Sequence, residues 1–304
     1  MLKKFEFKDL DWIDLESPTH SDIHEIRESY DVDNFIVQDL HDPSLRSRID
    51  FSSKHIYLVL HFPIYSREKK QVYSREVDIV IGEKYLITTH YEQIKELHEI
   101  SDIYALENVD DHPHKETHAG HLFFYIMRHL YVTMEENLGD ISDRLEKIEA
   151  EIFAGNEHEM VRSLSDIGRE LLDFKKALRS HTDVIGSYES VSSELFGKKY
   201  SYYATSILGE YRKIHGILDA HTELLGELRD TNDSLLSTKS GDIMKFLTIM
   251  AFVTFPLSLL AGVFGMNTIN TPIIGSSNDF WVILGIMVLA TVGFFMFFKY
   301  KKWL

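Results

Sequence analysis

The stretch best suited to chemistry is Gly265-Met266-Asn267. It follows a run of 19 residues without a charge, Phe246 to Phe264, and after a polar loop comes a second charge-free run of 19, Phe280 to Phe298. As helices at about 1.5 Å per residue, each run is about 28 Å long, close to the roughly 30 Å hydrocarbon core of a bilayer. An asparagine at the end of a spanning helix can offer its amide oxygen to water held by a cation. Mg²⁺ sheds water reluctantly, so a ring of neutral acceptors can select it with its hydration shell in place. The plain alternative is capping, because Gly and Asn commonly follow a helix C-terminus.

Other candidates lie upstream. His112, His114, His118 and His121 include helical ligand spacings that would suit zinc or another soft-leaning metal. Pro113 interrupts that segment, and with 16 histidines in the chain some clustering arises by chance. The acids from Glu135 to Glu159 can concentrate cations, although a solvated helix face is the simpler reading. There is no Gly-rich phosphate loop followed by Lys-Ser or Lys-Thr, and no nucleophile motif of the hydrolase kind. Transport, if any, is passive or ion-coupled, and no enzyme activity is expected.

Composition agrees. The 304 residues include no cysteine, so disulfides, thiolate sites and thiol nucleophiles are excluded. The formal charge of −16 disfavours nucleic acid and favours cations or plain solubility. The first residues, Met1 to Glu6, lack the apolar core of a signal peptide. Lys299, Lys301 and Lys302 follow the second apolar run, with Tyr300 and Trp303 suited to a membrane interface, whereas 268–279 carries no Lys or Arg. The positive-inside rule then puts the tail and the N-terminal domain in the cytoplasm and the loop outside.

These elements must hold the turn in place. Leu10 to Leu15 mixes apolar and acidic residues as a half-buried strand does. Thr19 followed by Asp22 predicts a capped helix through Ile23, Ile26 and Tyr30, and a second helix covers Asp33 to Leu40. Strands follow at Ser47–Phe51, His55–Pro63, Glu76–Ile81 and Tyr85–His90, the last two joined through Gly82-Glu83-Lys84 as a hairpin. The order β, α, α, β, β, β, β predicts an α/β domain with a mixed or mainly antiparallel sheet. Helical periodicity begins near Glu92, resumes after Ala119 through Met134, Leu138, Ile141, Leu145, Ile148 and Ile152, and breaks at Gly155-Asn156. A further helix is expected from Glu159 to His181 with Val161, Leu164, Ile167, Leu171, Phe174 and Leu178 on one face. After Gly197 a last helix starts near Tyr202 and runs without proline into Phe246. A helix of some 60 residues needs neighbours, and identical copies would supply them.

Phe264-Gly265-Met266-Asn267 after the first span, the two C-terminal spans and the ending Lys301-Lys302-Trp303-Leu304 resemble the CorA family of divalent-cation transporters. The resemblance covers the whole chain: Trp12-Ile13-Asp14-Leu15 with Pro18-Thr19, Ile87-Thr88-Thr89-His90, Met244-Lys245-Phe246-Leu247-Thr248, and Pro256-Leu257 with Ala261-Gly262 are similar to family segments. It implies a funnel-shaped homopentamer. A cytoplasmic α/β domain with a helical extension (1–200) and a stalk helix (201–245) would precede a pore-lining span (246–267), an external loop (268–279), a second span (280–298) and a basic tail (299–304).

Asn267 resembles the family's filter asparagine, with Gly265 and Met266 beside it. Met244 and Leu247 resemble its apolar constriction, which blocks ions by dewetting. Ala251, Phe255, Ser258 and Gly262 continue along the pore face, and their steps of three or four keep them on one side of a helix whatever the family. Asp230 falls where a stalk acid occurs in the family, and Asp233 lies one turn on. Such acids would bind Mg²⁺ between subunits and close the channel.

The sequence departs from the family in three places. Phe264 replaces the usual Tyr, Gly241 stands at the cytoplasmic mouth where many members have Asn, and the loop from Thr268 to Ile274 has no Glu. The reading is a passive Mg²⁺ channel, also passing Co²⁺ and Ni²⁺ and gated by cytoplasmic Mg²⁺, with lipid and its own copies as partners and no cofactor besides the ion. The alternatives are a Zn²⁺ transporter of the same superfamily, with or without proton coupling, and a membrane-anchored cation sensor that conducts nothing.

Overall fold

The computed structural model describes residues 2–7, 10–66, 71–107, 118–266, 278–301 and 303. The chain forms two compact units, Met1–Arg229 and Asp230–Leu304.

The first unit is built on a six-stranded sheet. Its strands are β1 (Leu2–Phe7), β2 (Leu10–Glu16), β3 (Arg48–Phe51), β4 (Ile56–Ser66), β5 (Gln71–Ile81) and β6 (Tyr85–His90), in the order β1-β2-β6-β5-β4-β3. Every neighbouring pair is antiparallel except β2 with β6. The β5–β6 hairpin closes through Gly82 as its sequence predicts, with the Gly82 amide bonded to the Tyr85 carbonyl at 2.9 Å.

The parallel pair needs a crossover, which begins with α1 (His20–Tyr30) and α2 (Asn34–Asp39). Helix α1 starts with the expected capping box. The Thr19 hydroxyl accepts from the Asp22 amide at 3.3 Å, while the Asp22 carboxylate accepts from the Thr19 amide at 2.9 Å. Ile23, Ile26 and Ile36 bury against Ile13, Leu15, Tyr57, Val59, Val80 and Ile87. The opposite face of β4 presents Phe62, whose ring meets Tyr131 at 6.5 Å and His181 at 5.1 Å. Covered on both faces, β4 is buried from Ile56 through Leu60, as the strands of a doubly covered sheet are.

Two expectations change here. Strand β2 is an interior strand, not a half-buried one, because β1 pairs outside it from Leu2 opposite Leu15 to Phe7 opposite Leu10. Strand β1 itself carries no apolar run to announce it. Lys4 and Glu6 point to water and pair at 2.8 Å.

Helix α3 (Lys95–Glu107) precedes the long α4 (Ala119–Ala154), where Met134, Leu138, Ile141, Leu145, Ile148 and Ile152 are all buried. Gly155 closes α4 at φ 101°, a left-handed conformation that glycine adopts without cost. Helix α5 (Glu157–Leu178) returns alongside, clamped to α4 by the bidentate Arg144–Glu170 pair at 2.7 and 2.8 Å. Its buried face includes Leu164, Ile167, Leu171, Phe174 and Leu178, but Val161 is 49% exposed, a correction to the expected stripe.

The expected helix to His181 also ends early. At His181 a new helix, α6 (His181–Phe196), begins. The buried His181 ring is held between the Tyr131 hydroxyl and the His61 carbonyl oxygen, each at 2.9 Å, so side-chain anchoring turns the chain where no Gly or Pro does.

Helix α7 (Ser201–Phe264) has 64 residues and is therefore about 96 Å long at about 1.5 Å per residue. In the first unit it buries Ile207, Tyr211, Ile214, Leu218, His221, Leu225 and Leu228. Lys213 reaches Glu135 at 2.6 Å, and Arg229 donates to the Leu164 carbonyl at 3.1 Å. The second unit holds the rest of α7 and α8 (Asp279–Tyr300). Both helices are long and apolar enough to cross a membrane.

Candidate pore and cation sites

Within the second unit, one face of α7 is covered and the other is bare. Ile249 and Phe298 are buried, and the Phe252 and Phe298 rings meet at 6.4 Å. Val253, Pro256, Leu260 and Phe264, all half-buried, follow Ile249 at helical steps. The Phe298 ring in turn stacks on Trp303 at 5.9 Å.

The expected pore residues lie away from this face. Met244, Leu247 and Phe255 are exposed, as are Ser258 and Gly262, and Ala251 is half-buried. At about 100° per residue these six positions fall within about 80° of arc, on the side opposite Ile249. The bare stripe is apolar at Met244 and Leu247 and small at Ala251, Ser258 and Gly262. Thr248, Ala251, Phe252, Phe255, Pro256 and Leu259 line an apolar groove of about 490 Å³ next to it.

At the end of the helix the Gly265 amide bonds to the Ala261 carbonyl at 2.9 Å, and the Met266 amide reaches the Val263 carbonyl at 3.4 Å. A Cβ on Gly265 would lie 2.9 Å from the Ala261 oxygen, so the chain closes on itself here in a way that favours glycine. Met266 is exposed. Asn267 and the loop 268–277 lie outside the described residues.

Asp230 and Asp233 are exposed on one face of α7. Among the described residues no three His, Asp or Glu side chains surround a common metal position. Of the four clustered histidines, His112 and His114 lie outside the described residues. His118 and His121 sit among aromatic rings: His118 stacks on Phe196 at 4.6 Å, and His121 meets Tyr203 edge-on at 4.6 Å. The acids of α4 mostly face water, although Glu135 pairs with Lys213.

Two buried polar networks escape sequence reasoning. Under the β2–β6 pair, the Trp12 indole donates to the Thr88 hydroxyl at 3.0 Å, and Thr88 donates to Asp14 at 2.6 Å. His90 lies 3.4 Å from the same carboxylate. On the α1–α2 face of β5, the Tyr91 hydroxyl donates to Asp78 at 3.0 Å, and Glu76 accepts from the Ser44 amide at 2.7 Å. Burial and the neighbouring Glu76 push the Asp78 carboxyl up to about 8. The Asp78 and Glu76 partners come from remote strands and loops, which no spacing rule reports.

A family model described as CorA-like Mg²⁺ transporter protein matches residues 7–301. The cobalt/magnesium transport protein CorA of Thermotoga maritima is 22% identical over 294 residues, 96% of this chain and 83% of that one. The cobalt/magnesium transport protein CorA of Methanocaldococcus jannaschii is 20% identical over 307 residues, 100% of this chain and 95% of that one. The complete structure of the CorA magnesium transporter from Methanocaldococcus jannaschii superposes with a TM-score of 0.83 at 20% identity, covering 99% of this chain and 93% of that chain.

Proposed function

This chain belongs to the CorA-like Mg²⁺ transporter family, and on that premise we propose that it is a passive channel for hydrated Mg²⁺, with Co²⁺ and Ni²⁺ as further cargo. Five copies would place their α7 spans around one axis, with the stripe of Met244, Leu247, Ala251, Phe255, Ser258 and Gly262 facing the pore. The observation that carries this reading is the bare stripe itself. It lies opposite the covered face of α7, and an apolar groove flanks it that a neighbouring copy can fill.

Asn267 from each copy would ring the outer end and accept hydrogen bonds from the ion's water shell. Gly265 and Met266 would shape that ring. Met244 and Leu247 would close the inner end by dewetting. The stalk and the span through Phe264 are one continuous helix, Ser201–Phe264, so a shift in stalk packing would reach the constriction directly. Asp230 and Asp233 would repel their counterparts in neighbouring copies until Mg²⁺ bridges them, closing the pore when the cytoplasm is replete. With both termini in the cytoplasm, a potential of about 100 mV, negative inside, favours uptake of a divalent ion by about 4.6 kcal/mol. No pump is then required.

The test is flux into proteoliposomes for Mg²⁺, Co²⁺ and Zn²⁺ separately, with and without a pH gradient. Mg²⁺ uptake driven by potential alone is expected. Zn²⁺ uptake that requires the pH gradient, without Mg²⁺ uptake, would replace this reading with a proton-coupled zinc transporter. No flux of any ion would leave a sensor.

A further inference from the structure

After Leu40, residues 41–47 lead from α2 to β3 as a strap over one face of the sheet, and none of them is buried. Leu45, the large aliphatic side chain among them, is 98% exposed. Apolar contact therefore does not hold the strap down, and polar bonds must. The Ser44 amide donates to Glu76 at 2.7 Å, His61 Nε2 lies 3.1 Å from the Ser44 carbonyl oxygen, and the Ser47 hydroxyl meets His61 Nδ1 at 2.9 Å. His20 touches the strap at His41. At its start, the Tyr91 hydroxyl lies 3.4 Å from the Asp39 carbonyl oxygen and 3.2 Å from that of Asp42.

The same hydroxyl lies 3.0 Å from the Asp78 carboxyl. A phenol has one proton to donate, so the three acceptors compete for it. Asp78 and Glu76 are both buried, two residues apart on one face of β5. Among the described residues no hydrogen bond reaches Asp78 Oδ1, and the charge that acts on Asp78 most is that of Glu76. From β4 come His61, which is bonded to the strap and 3.4 Å from Glu76, and Tyr57, whose buried hydroxyl makes no bond. From β3 comes Arg48, which lies over the Tyr57 ring and is paired with the acids Asp39 and Asp50. Asp42 adds a further negative charge beside Tyr91.

A proton on Asp78 suits this arrangement at both ends. It removes the second charge beside Glu76 and leaves Tyr91 to donate to the carbonyls at the start of the strap. Loss of that proton draws the Tyr91 hydrogen to Asp78 and sets two buried carboxylates side by side, a repulsion relieved when the strap lifts and water enters. We propose that residues 41–47 are a proton-operated latch, closed through Tyr91 when Asp78 is protonated and opened when Asp78 ionises. Burial and Glu76 let the closed form keep the proton up to about 8, whereas a solvated Asp releases it near about 3.9. Closure is therefore strongest in acid and weakens as pH rises between those values.

The test is hydrogen exchange of the full-length protein in detergent, corrected for the intrinsic pH dependence and read at residues 41–47. Full exposure of Asp78 on opening would lower protection about tenfold per pH unit, and a loss of at least about tenfold from pH 5 to pH 7 is expected. Asp78→Asn should abolish that step. Tyr91→Phe, which keeps the ring, should lower protection at pH 5 toward the level of the unaltered protein at pH 7. Unchanged exchange in α4 and α5 establishes that each variant is folded. Constant protection of the strap in the unaltered protein over that range, a step of equal size in Asp78→Asn, or full protection of Tyr91→Phe at pH 5 would overturn the latch.

Discussion

Asp78 and His181 are buried titratable groups whose effects on stability run in opposite directions. Burial and Glu76 raise the Asp78 carboxyl to about 8, against about 3.9 in an unfolded chain. Between those values the unfolded state releases a proton that the folded state keeps, so stability falls as pH rises through that window. Asp78→Asn removes the titration. The variant should gain on the unaltered protein in urea midpoint as pH goes from 5 to 8, and a constant difference would refute this. His181 is fully buried, and desolvation lowers it to about 4. Here the unfolded state gains a proton first, so stability present above about 6.5 is lost as pH falls toward 4, by about 3 kcal/mol in all. His181→Gln should flatten that acid limb when the unfolding of the sheet domain is followed through Trp12. Neither behaviour is legible in the sequence. An Asp in a strand looks solvent-facing until Tyr91, the residue after β6, is seen to donate to it while the loop carrying Ser44 caps the neighbouring Glu76.

Local signals fixed some elements and tertiary packing fixed others. Thr19 and Asp22 lie three residues apart, so their capping box can be read without knowing the fold. The β5–β6 hairpin is likewise written in Gly82 and the alternation around it. Strand β1 is hidden because an edge strand of Leu, Lys, Phe and Glu has the composition of a polar terminus. The α5–α6 break is hidden because the anchor at His181 comes from Tyr131 and His61, at least 50 residues away. The α4–α5 hairpin offers a direct test at this scale. The two-pronged Arg144–Glu170 contact leaves Glu170 only 9% exposed. Arg144→Ala strands that carboxylate and should cost about 1.5–3 kcal/mol, the range for a hydrogen bond to a charged group. Chemical denaturation of the two proteins in parallel measures it, and a loss below about 0.5 kcal/mol would mean that the clamp is ornamental.

For the whole molecule, two apolar runs of one-bilayer length and a helix too long to stand alone already implied a membrane protein built from several copies. That Met244, Leu247, Ala251, Phe255, Ser258 and Gly262 share one side of α7 is legible as a three- and four-residue rhythm, because periodicity survives without knowledge of partners. What the sequence could not say is that the same helix keeps a covered face at Ile249, leaving the stripe bare. The proposed assembly carries its own prediction: the detergent-purified protein should have the mass of five chains, measurable by native mass spectrometry, and a monomer or dimer would contradict it. In the proposed mechanism, regulation is separable from conduction. Asp230→Ala should leave uptake intact and raise several-fold the internal Mg²⁺ needed to stop it, and unchanged inhibition would remove Asp230 from the mechanism.

The proposed filter at Asn267 is the central claim, and Mg²⁺ uptake by proteoliposomes carrying the unaltered protein or Asn267→Ala tests it most directly. The neutral ring predicts that the variant assembles normally and loses at least about tenfold in Mg²⁺ uptake, since about 1.4 kcal/mol of lost stabilisation of the hydrated ion suffices for that factor. Uptake at the unaltered rate in Asn267→Ala would contradict it.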